Sequence, residues 1–186
     1  MHISIKMKKS IFIEVEIPAG VEMNLEGDEI VVKGKEGVLR KKVRIERLSF
    51  EKKGNKMVIG NKASTKREKK MMNTIRAHLK NMIKGVQEKF VYHLKVVFHH
   101  FPITVEIVGK KAIIKNFLGE KIPRTAKIPE GAEVKVNKDM ITIVSTDKEV
   151  AGQASANFET ATRIRLRDRR VFQDGIFLTN KAGKLI

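Results

Sequence analysis

The chain has 186 residues and a formal net charge of +18, from 39 basic and 21 acidic side chains. Its 41% hydrophobic content allows a packed core, and the absence of cysteine excludes disulfides and thiolate metal sites. No apolar run approaches the roughly 20 residues of a membrane span. The start, MHISIKMKKS, lacks the apolar segment of a secretory signal. The absence of cysteine fits a reducing cytoplasm, where we expect the protein. Because self-repulsion from such a charge costs stability, we expect a polyanionic partner, and nucleic acid is favoured over an anionic membrane.

Two hairpins and a helix are predicted in the first half of the chain. The segments VEMNLEGDEIVVKG and LSFEKKGNKMVIG each hold two short apolar runs around a turn, at Gly27 and Asp28 and at Gly54 and Asn55. The sequence GKEG at 34–37 is typical of another hairpin turn. Thr65 and Glu68 fit a capping box. Helical spacing then relates Met72, Ile75, Leu79, Met82, Ile83 and Val86. Basic residues surround this stripe, as either a solvated face or a phosphate-facing surface.

The same order of signals returns 81 to 84 positions later. VEIVGKKAIIKN and VKVNKDMITIV repeat the two hairpins, and Thr146 and Glu149 predict a second capping box. A second helical stripe follows at Val150, Ala154, Phe158, Ala161 and Ile164. Three matches in one order indicate a duplication. We therefore predict an α+β protein of two tandem similar domains, 1–86 and 87–186, each a small antiparallel sheet packed on one helix.

Motifs of catalysis or metal binding are weak in this chain. The pair His99 and His100 precedes Pro102 without the spacing of an H-E-x-x-H metal site, so a strand end or turn is favoured. GKEG lacks the length and the Lys-Ser/Thr ending of a phosphate loop. We therefore expect no enzyme activity, no metal, no cofactor and no small-molecule substrate.

A run of arginines follows the second helical stripe, in TRIRLRDRRVF at 162–172. Only Asp168 offsets them. One or two cations suit the C-terminal end of a helix dipole, but five need another explanation. The guanidinium fork binds phosphate with two parallel hydrogen bonds, so the run predicts directional phosphate recognition. Its members are Arg163, Arg165, Arg167, Arg169 and Arg170.

The residues after the arginines predict a turn, a strand and a tail. FQDGIF favours a tight turn at Asp174 and Gly175 that leads into a short strand. The tail TNKAGKLI, with Lys181 and Lys184, is typical of an extended basic arm that is ordered only by its partner.

The class of nucleic acid is indicated by what the basic segments lack. Helix-turn-helix, zinc-finger, basic-zipper and RNP1-type patterns are absent from the sequence. Arginine and lysine without interleaved aromatic residues favour folded RNA, recognised by shape and backbone. A free RNA-binding protein or RNA chaperone outside the ribosome, and an enzyme acting on a nucleic acid, stay open as alternatives.

Four segments carry a resemblance to a known family: FHHFPITVE at 98–106, NFLGEKIPRTAKIPEG at 116–131, DKEVAGQASANFETATRI at 147–164 and DRRVFQDGIF at 168–177. Over essentially its whole length the chain resembles the universal large-subunit ribosomal protein six family in its archaeal and eukaryotic form, whose eukaryotic member is called protein nine. The resemblance implies two similar α+β domains from an ancient duplication and a structural, non-catalytic role.

The resemblance also implies partners and contacts. Family members bind large-subunit rRNA mainly through the second domain, near the sarcin–ricin loop and the proteins of the stalk base, where translation GTPases act. Phe177 stands where the family often has tyrosine, and FHHFP stands where YSHFP is commoner. The implied RNA contacts are the five arginines with Phe172, Gln173 and Gly175, and in second rank His100, Pro102, Asn116, Phe117, Gly119 and Lys121. The basic residues Arg124, Lys181 and Lys184 are added to these as predicted contacts.

Overall fold

The computed structural model describes residues 9–43 and 48–186, and the chain divides into two compact units, Met1–Glu88 and Lys89–Ile186. The division falls two residues after the expected boundary, because the helix of the first unit continues to Gln87. Each unit has its own cluster of buried apolar side chains. Residues 1–8, where no signal sequence is expected, lie outside the described part of the chain.

The described part of the first unit consists of two three-stranded antiparallel sheets and one helix. Strand order is β1-β6-β5 in one sheet and β2-β3-β4 in the other. In chain order the elements are β1 Lys9–Glu16, β2 Glu22–Glu26, β3 Glu29–Gly34, β4 Gly37–Lys42, β5 Ser49–Lys53, β6 Lys56–Ser64 and α1 Lys66–Gln87.

The hairpins predicted in the first half are confirmed. Gly27 and Gly54 adopt positive φ angles of 59° and 57°, which glycine accepts without steric cost, and they join β2 to β3 and β5 to β6. The segment 34–37 also forms a hairpin turn, with Gly34 opposite Gly37 in the pairing of β3 with β4.

Helix α1 begins at the predicted capping box. The Thr65 hydroxyl accepts a hydrogen bond from the Arg67 amide at 3.2 Å, and the Glu68 carboxylate accepts one from the Thr65 amide at 2.8 Å. All six residues of the predicted apolar stripe are buried. Each such side chain stabilises the unit by ~1.5–3 kcal/mol relative to leaving it exposed. Both predictions for this helix are confirmed.

The second unit repeats this order and adds a C-terminal hairpin. Its helix α2 is Lys148–Ala161. The strands are β7 Phe90–Val97, β8 Thr104–Val108, β9 Lys111–Lys115, β10 Arg124–Lys127, β11 Glu133–Asn137, β12 Met140–Ser145, β13 Gly175–Lys181 and β14 Lys184–Leu185. A short 3-10 turn, Phe117–Gly119, lies between β9 and β10.

Strand pairing confirms the predicted duplication. The order β7-β12-β11 repeats β1-β6-β5, and β8-β9-β10 repeats β2-β3-β4. Among the described residues each repeat has six strands, and the two predicted repeated hairpins supply four of them. The remaining strands are β1 and β4 in the first unit, where the predicted turn at 34–37 gives β4, and β7 and β10 in the second unit. The α+β class and the tandem architecture are confirmed.

The predicted start of the second helix is wrong. Its N-cap is Asp147, whose carboxylate accepts a hydrogen bond from the Glu149 amide at 2.8 Å, so Thr146 lies before the cap. The helix ends at Ala161, and Ile164 therefore lies beyond it. Its buried residues are Ala151, Ala154, Ser155 and Phe158. The predicted stripe thus keeps Ala154 and Phe158 as fully buried members.

The C-terminal tail is a hairpin and not an extended arm. Strand β13 pairs antiparallel with β7, and β14 pairs with the end of β13, placing Lys181 opposite Lys184. The Asn180 side chain accepts a hydrogen bond from the Gly183 amide at 2.9 Å within the turn. Pairing with β7 satisfies backbone groups that would otherwise need water, so this segment is ordered by the protein itself.

Candidate nucleic-acid interface

The five clustered arginines lie on one loop between α2 and β13, residues 163–174, which we call the arginine loop. All five are exposed, and they follow the last helical residue, as the sequence predicts. Among the described residues only Arg170 of the five has an ion pair, with its Nε 3.4 Å from an Asp168 Oδ1. The loop therefore displays nearly uncompensated positive charge to solvent.

Local hydrogen bonds give the arginine loop a defined shape. The Asp168 carboxylate accepts a hydrogen bond from the Arg170 amide at 2.9 Å. The backbone carbonyl of Asp168 accepts one from the Phe172 amide at 3.0 Å. The Arg167 guanidinium lies over the Phe172 ring, 4.9 Å from its centroid. Leu166 takes a positive φ of 58° between two arginines. These contacts hold the guanidiniums on a folded turn, which lowers the conformational entropy lost on binding.

Two side chains of the α2 end join the loop base to β13. The Thr162 hydroxyl accepts a hydrogen bond from the Ile176 amide at 3.0 Å, and the Glu159 carboxylate accepts one from the Leu178 amide at 3.0 Å. Both ends of the arginine loop are thereby fixed to the same part of the second unit.

The Arg124 side chain contacts other residues of the second unit. Its guanidinium donates to both oxygens of the Glu120 carboxylate, at 2.7 and 2.6 Å, and to the carbonyls of Ala161 and Arg163, at 3.0 and 3.1 Å. It also lies over the Phe117 ring, 4.2 Å from the centroid. The predicted RNA contact of Arg124 stays a prediction, whereas its contacts here connect the 116–121 loop to the start of the arginine loop.

The hydrogen bonds from Arg124 hold the pKa of the Glu120 carboxyl below its ordinary value, and the charges of Arg124 and Arg167 add to this shift. The carboxylate is thus kept ionised beside the arginine loop. Glu120, the acidic residue of the 116–121 loop, is therefore paired with Arg124 within the protein, and the neighbouring arginine loop keeps its positive charge.

The two further segments named as RNA contacts lie side by side. The Asn116 side chain donates to the Pro102 carbonyl at 3.1 Å. Gly119 has a φ of 76° and faces the Phe101 ring, so that a Cβ there would lie 3.2 Å from the ring. His100, Asn116 and Lys121 are exposed. Through Arg124, these segments and the arginine loop form one connected region of the second unit.

Some predicted contact residues have other roles. Phe117 is 1% exposed and its side chain belongs to the core, so a contact by this residue would involve its backbone, and its RNA contact stays a prediction. Gly175 is buried, and a Cβ there would lie 2.9 Å from the Phe177 ring, so glycine permits this packing. Gln173 is exposed and donates to the Arg170 carbonyl at 3.3 Å. Lys181 and Lys184 are exposed on the terminal hairpin.

Exposed apolar side chains in this region were missed by the sequence interpretation. Leu166 is fully exposed in the arginine loop, Val171 is 73% exposed, and Ile122 is 81% exposed near Arg124. The sequence does not distinguish them from Ile164, which also lies beyond the helix among arginines but packs against the core. The three exposed side chains are candidates for contact with a partner.

Within residues 9–43 and 48–186, no group of three or more His, Asp or Glu side chains could hold a metal ion. Neither helix of the described chain is long and apolar enough to cross a membrane.

The fold and this surface define a class: a duplicated α+β protein whose second unit carries a structured and strongly cationic loop. The family model described as Ribosomal protein L6 matches residues 17–89 and 101–175, and the chain belongs to that family. It is 43% identical over 173 residues to the large ribosomal subunit protein uL6 of Methanococcus vannielii, covering 93% of this chain and 95% of the relative. It is 45% identical over 168 residues to the protein of the same name from Methanobrevibacter smithii, with 90% and 94% covered.

These comparisons confirm the resemblance inferred from the four motifs. Family membership gives the chain a structural, non-enzymatic role in the ribosome, a cytoplasmic particle, and association with rRNA and other ribosomal proteins. The enzyme alternative is thereby set aside.

Proposed function

We propose that this chain is a constituent of the large ribosomal subunit that binds large-subunit rRNA through the arginine loop, near the sarcin–ricin loop and the stalk base. There it supports the region where translation GTPases act. The observation that carries the proposal is the display of five exposed guanidiniums on a structured loop, with one ion pair among them in the described chain. Its relatives are named as large-subunit proteins, which supports the choice of particle.

Phosphate binding accounts for the unusual charge density. Guanidiniums that repel each other in the free protein are stabilised when each faces a phosphate oxygen. The hydrogen bonds of Asp168 and the Arg167 contact with Phe172 fix the loop before binding, so the charges need little rearrangement. Phosphate contacts set position and orientation, which suits an architectural role.

The direct test replaces Arg167, Arg169 and Arg170 together with alanine and measures filter binding to a large-subunit rRNA transcript. If about six phosphates are contacted, the wild-type affinity falls roughly a thousandfold between 50 and 200 mM salt. The triple variant is expected to bind roughly a hundredfold more weakly at about 100 mM salt, with a salt slope reduced by about three. These side chains are exposed, so circular dichroism and cooperative unfolding are expected to be kept, and the loss of the Arg167 contact with Phe172 is confined to the loop.

Two matched variants give the controls. Alanine at Lys111, Lys127 and Lys135 removes the same charge from exposed sites outside the loop and is expected to leave binding within a few-fold of wild type. Lysine at the three arginines keeps the charge but loses the fork and is expected to bind at an intermediate level. Equal loss in both alanine triples would contradict a localised interface. Failure of the tagged chain to enter large-subunit fractions in a sucrose gradient would instead support a free RNA-binding protein.

A further inference from the structure

A cleft of about 690 Å³ lies between the end of α2, the arginine loop and the start of β13. Its volume falls within the range of small-ligand sites in proteins. Apolar side chains form part of its lining, including Val97, Ile164 and Phe177. Arg163 and Arg169 line it as well. A phosphate-binding surface needs no apolar cleft, so the cleft indicates a ligand part that is planar or apolar and is attached to a phosphate chain.

Asp174 supplies an acceptor without a donor in this cleft. Its residue is 5% exposed, it lines the cleft, and within the described residues its carboxylate forms no hydrogen bond or ion pair. Arg163 and Arg169 line the same cleft without pairing with it. Within the described residues the fully buried side-chain atoms without a hydrogen-bond partner are the Arg76 Nε and the Tyr92 hydroxyl, so the Asp174 carboxylate oxygens are accessible from the cleft. An ionised carboxylate only accepts hydrogen bonds, so a ligand in the cleft can supply the donor in place of water.

Phe177 offers a stacking face beside this acceptor. Its side chain is 47% exposed and its ring packs against Gly175, where no Cβ intervenes. The other ring of the lining, Phe172, is engaged by the Arg167 guanidinium. Unpaired bases in RNA complexes stack on aromatic rings and present their Watson–Crick edges to side chains.

We propose that the cleft receives one unstacked guanine base of the bound RNA, stacked on Phe177 and read by the Asp174 carboxylate. Guanine fits because its Watson–Crick edge offers two adjacent donors, N1–H and N2–H, to the two carboxylate oxygens. The other bases offer a single donor group on that edge. The surrounding arginines bind the phosphates on either side of the extruded nucleotide. This inference rests on the proposed function, since the RNA that binds the arginine loop supplies the base.

The experiment titrates the full-length ¹⁵N-labelled chain with 5′-GMP, AMP, CMP, UMP and inorganic phosphate, which needs no rRNA. GMP is expected to shift the amides of Gly175, Ile176 and Phe177 saturably and to bind roughly tenfold more tightly than the other nucleotides. Asp174→Asn is expected to abolish this preference.

Asp139→Asn makes the same charge change at an exposed turn and is expected to keep the GMP preference. Equal binding of the four nucleotides, phosphate-like shifts confined to the arginines, or an intact preference in Asp174→Asn overturns the guanine site. The rRNA filter assay is separate from this titration. Failure of the wild-type protein to bind rRNA therefore counts against the proposed function. Failure of the wild-type protein to prefer GMP counts against the guanine site alone.

Discussion

At the scale of single residues, the second unit uses arginine in two opposite ways. Arg124 is surrounded by protein acceptors and an aromatic ring, and it fixes one loop to another. The arginines of the arginine loop are exposed, and in the described chain one of them has an ion pair. The difference lies in the nearby acceptors, because the Glu120 carboxylate and the carbonyls of Ala161 and Arg163 accept hydrogen bonds from Arg124.

The contact between Glu120 and Arg124 gives a pH dependence with a definite sign. Because the pKa of the folded state is lowered, this contact stabilises the fold above the ordinary carboxyl value and stops doing so as pH falls through the lowered pKa. In an NMR titration from neutral pH to about pH 3, the Glu120 carboxyl is expected to titrate below its ordinary value of 4.5. Amides at the start of the arginine loop are expected to shift together with it.

Glu120→Gln is the control for that titration. It keeps an acceptor but removes the charge, so the acid-dependent shifts near Arg163 are expected to vanish. A Glu120 carboxyl that titrates at its ordinary value, or loop shifts that persist in the variant, would show that the contact does not hold the loop.

Motifs predicted the neighbourhood of the surface better than the role of each residue in it. The exposure of the arginine run could be predicted directly, because a small core cannot accept five clustered guanidiniums. Phe117 and Arg124 belong to the same motif as exposed Lys121, yet one is in the core and the other joins two loops. Burial depends on contacts with residues far along the chain, such as Ala161, and no local pattern contains that information.

At the scale of elements, two helices with similar start signals use different caps. In α1 the Thr65–Glu68 pair closes the capping box, whereas in α2 the cap is Asp147, one residue after the equivalent threonine. Ser145 explains the shift in part, since its hydroxyl accepts a hydrogen bond from the Asp147 amide at 3.2 Å and donates to the Gly131 carbonyl at 2.8 Å. The sequence held two adjacent candidate caps, and a tertiary contact selected between them.

This difference between caps can be measured by stability. Asp147→Ala is expected to lower the free energy of unfolding by about 1 kcal/mol, because the Glu149 amide loses its acceptor. Thr146→Ala is expected to change it by no more than about 0.5 kcal/mol. Urea unfolding followed by circular dichroism distinguishes them, and a larger cost at Thr146 than at Asp147 would contradict the assigned cap.

At the scale of the whole molecule, duplication provides the scaffold and an addition provides the surface. The repeated apolar pattern made the shared elements predictable, because each repeat carries the same signals. The arginine loop and the β13–β14 hairpin follow α2 and occur once, so no repeat could predict their form. Strand β13 pairs with the edge of β7, a strand far earlier in the chain. The polar sequence of the tail gave no sign of this pairing.

Net charge does not distinguish the two units. Residues 1–88 carry 21 basic and 11 acidic side chains and residues 89–186 carry 18 and 10, which leaves +10 and +8. Non-specific attraction to RNA depends on charge, so both units are expected to bind RNA with a steep salt dependence. Specific binding depends on arrangement, and the arginine loop belongs to the second unit alone. The two units are therefore expected to bind unrelated RNA with similar affinity and to differ in their preference for large-subunit rRNA.

Separate expression of 1–88 and 89–186 tests this expectation. Since each unit has its own buried core, each fragment is expected to unfold cooperatively in thermal denaturation. In filter binding, 89–186 is expected to keep the preference of the full chain for a large-subunit rRNA transcript over transfer RNA within about a factor of two. Fragment 1–88 is expected to bind both RNAs alike. The same preference in 1–88, or its loss from a folded 89–186, would move the specific interface away from the arginine loop.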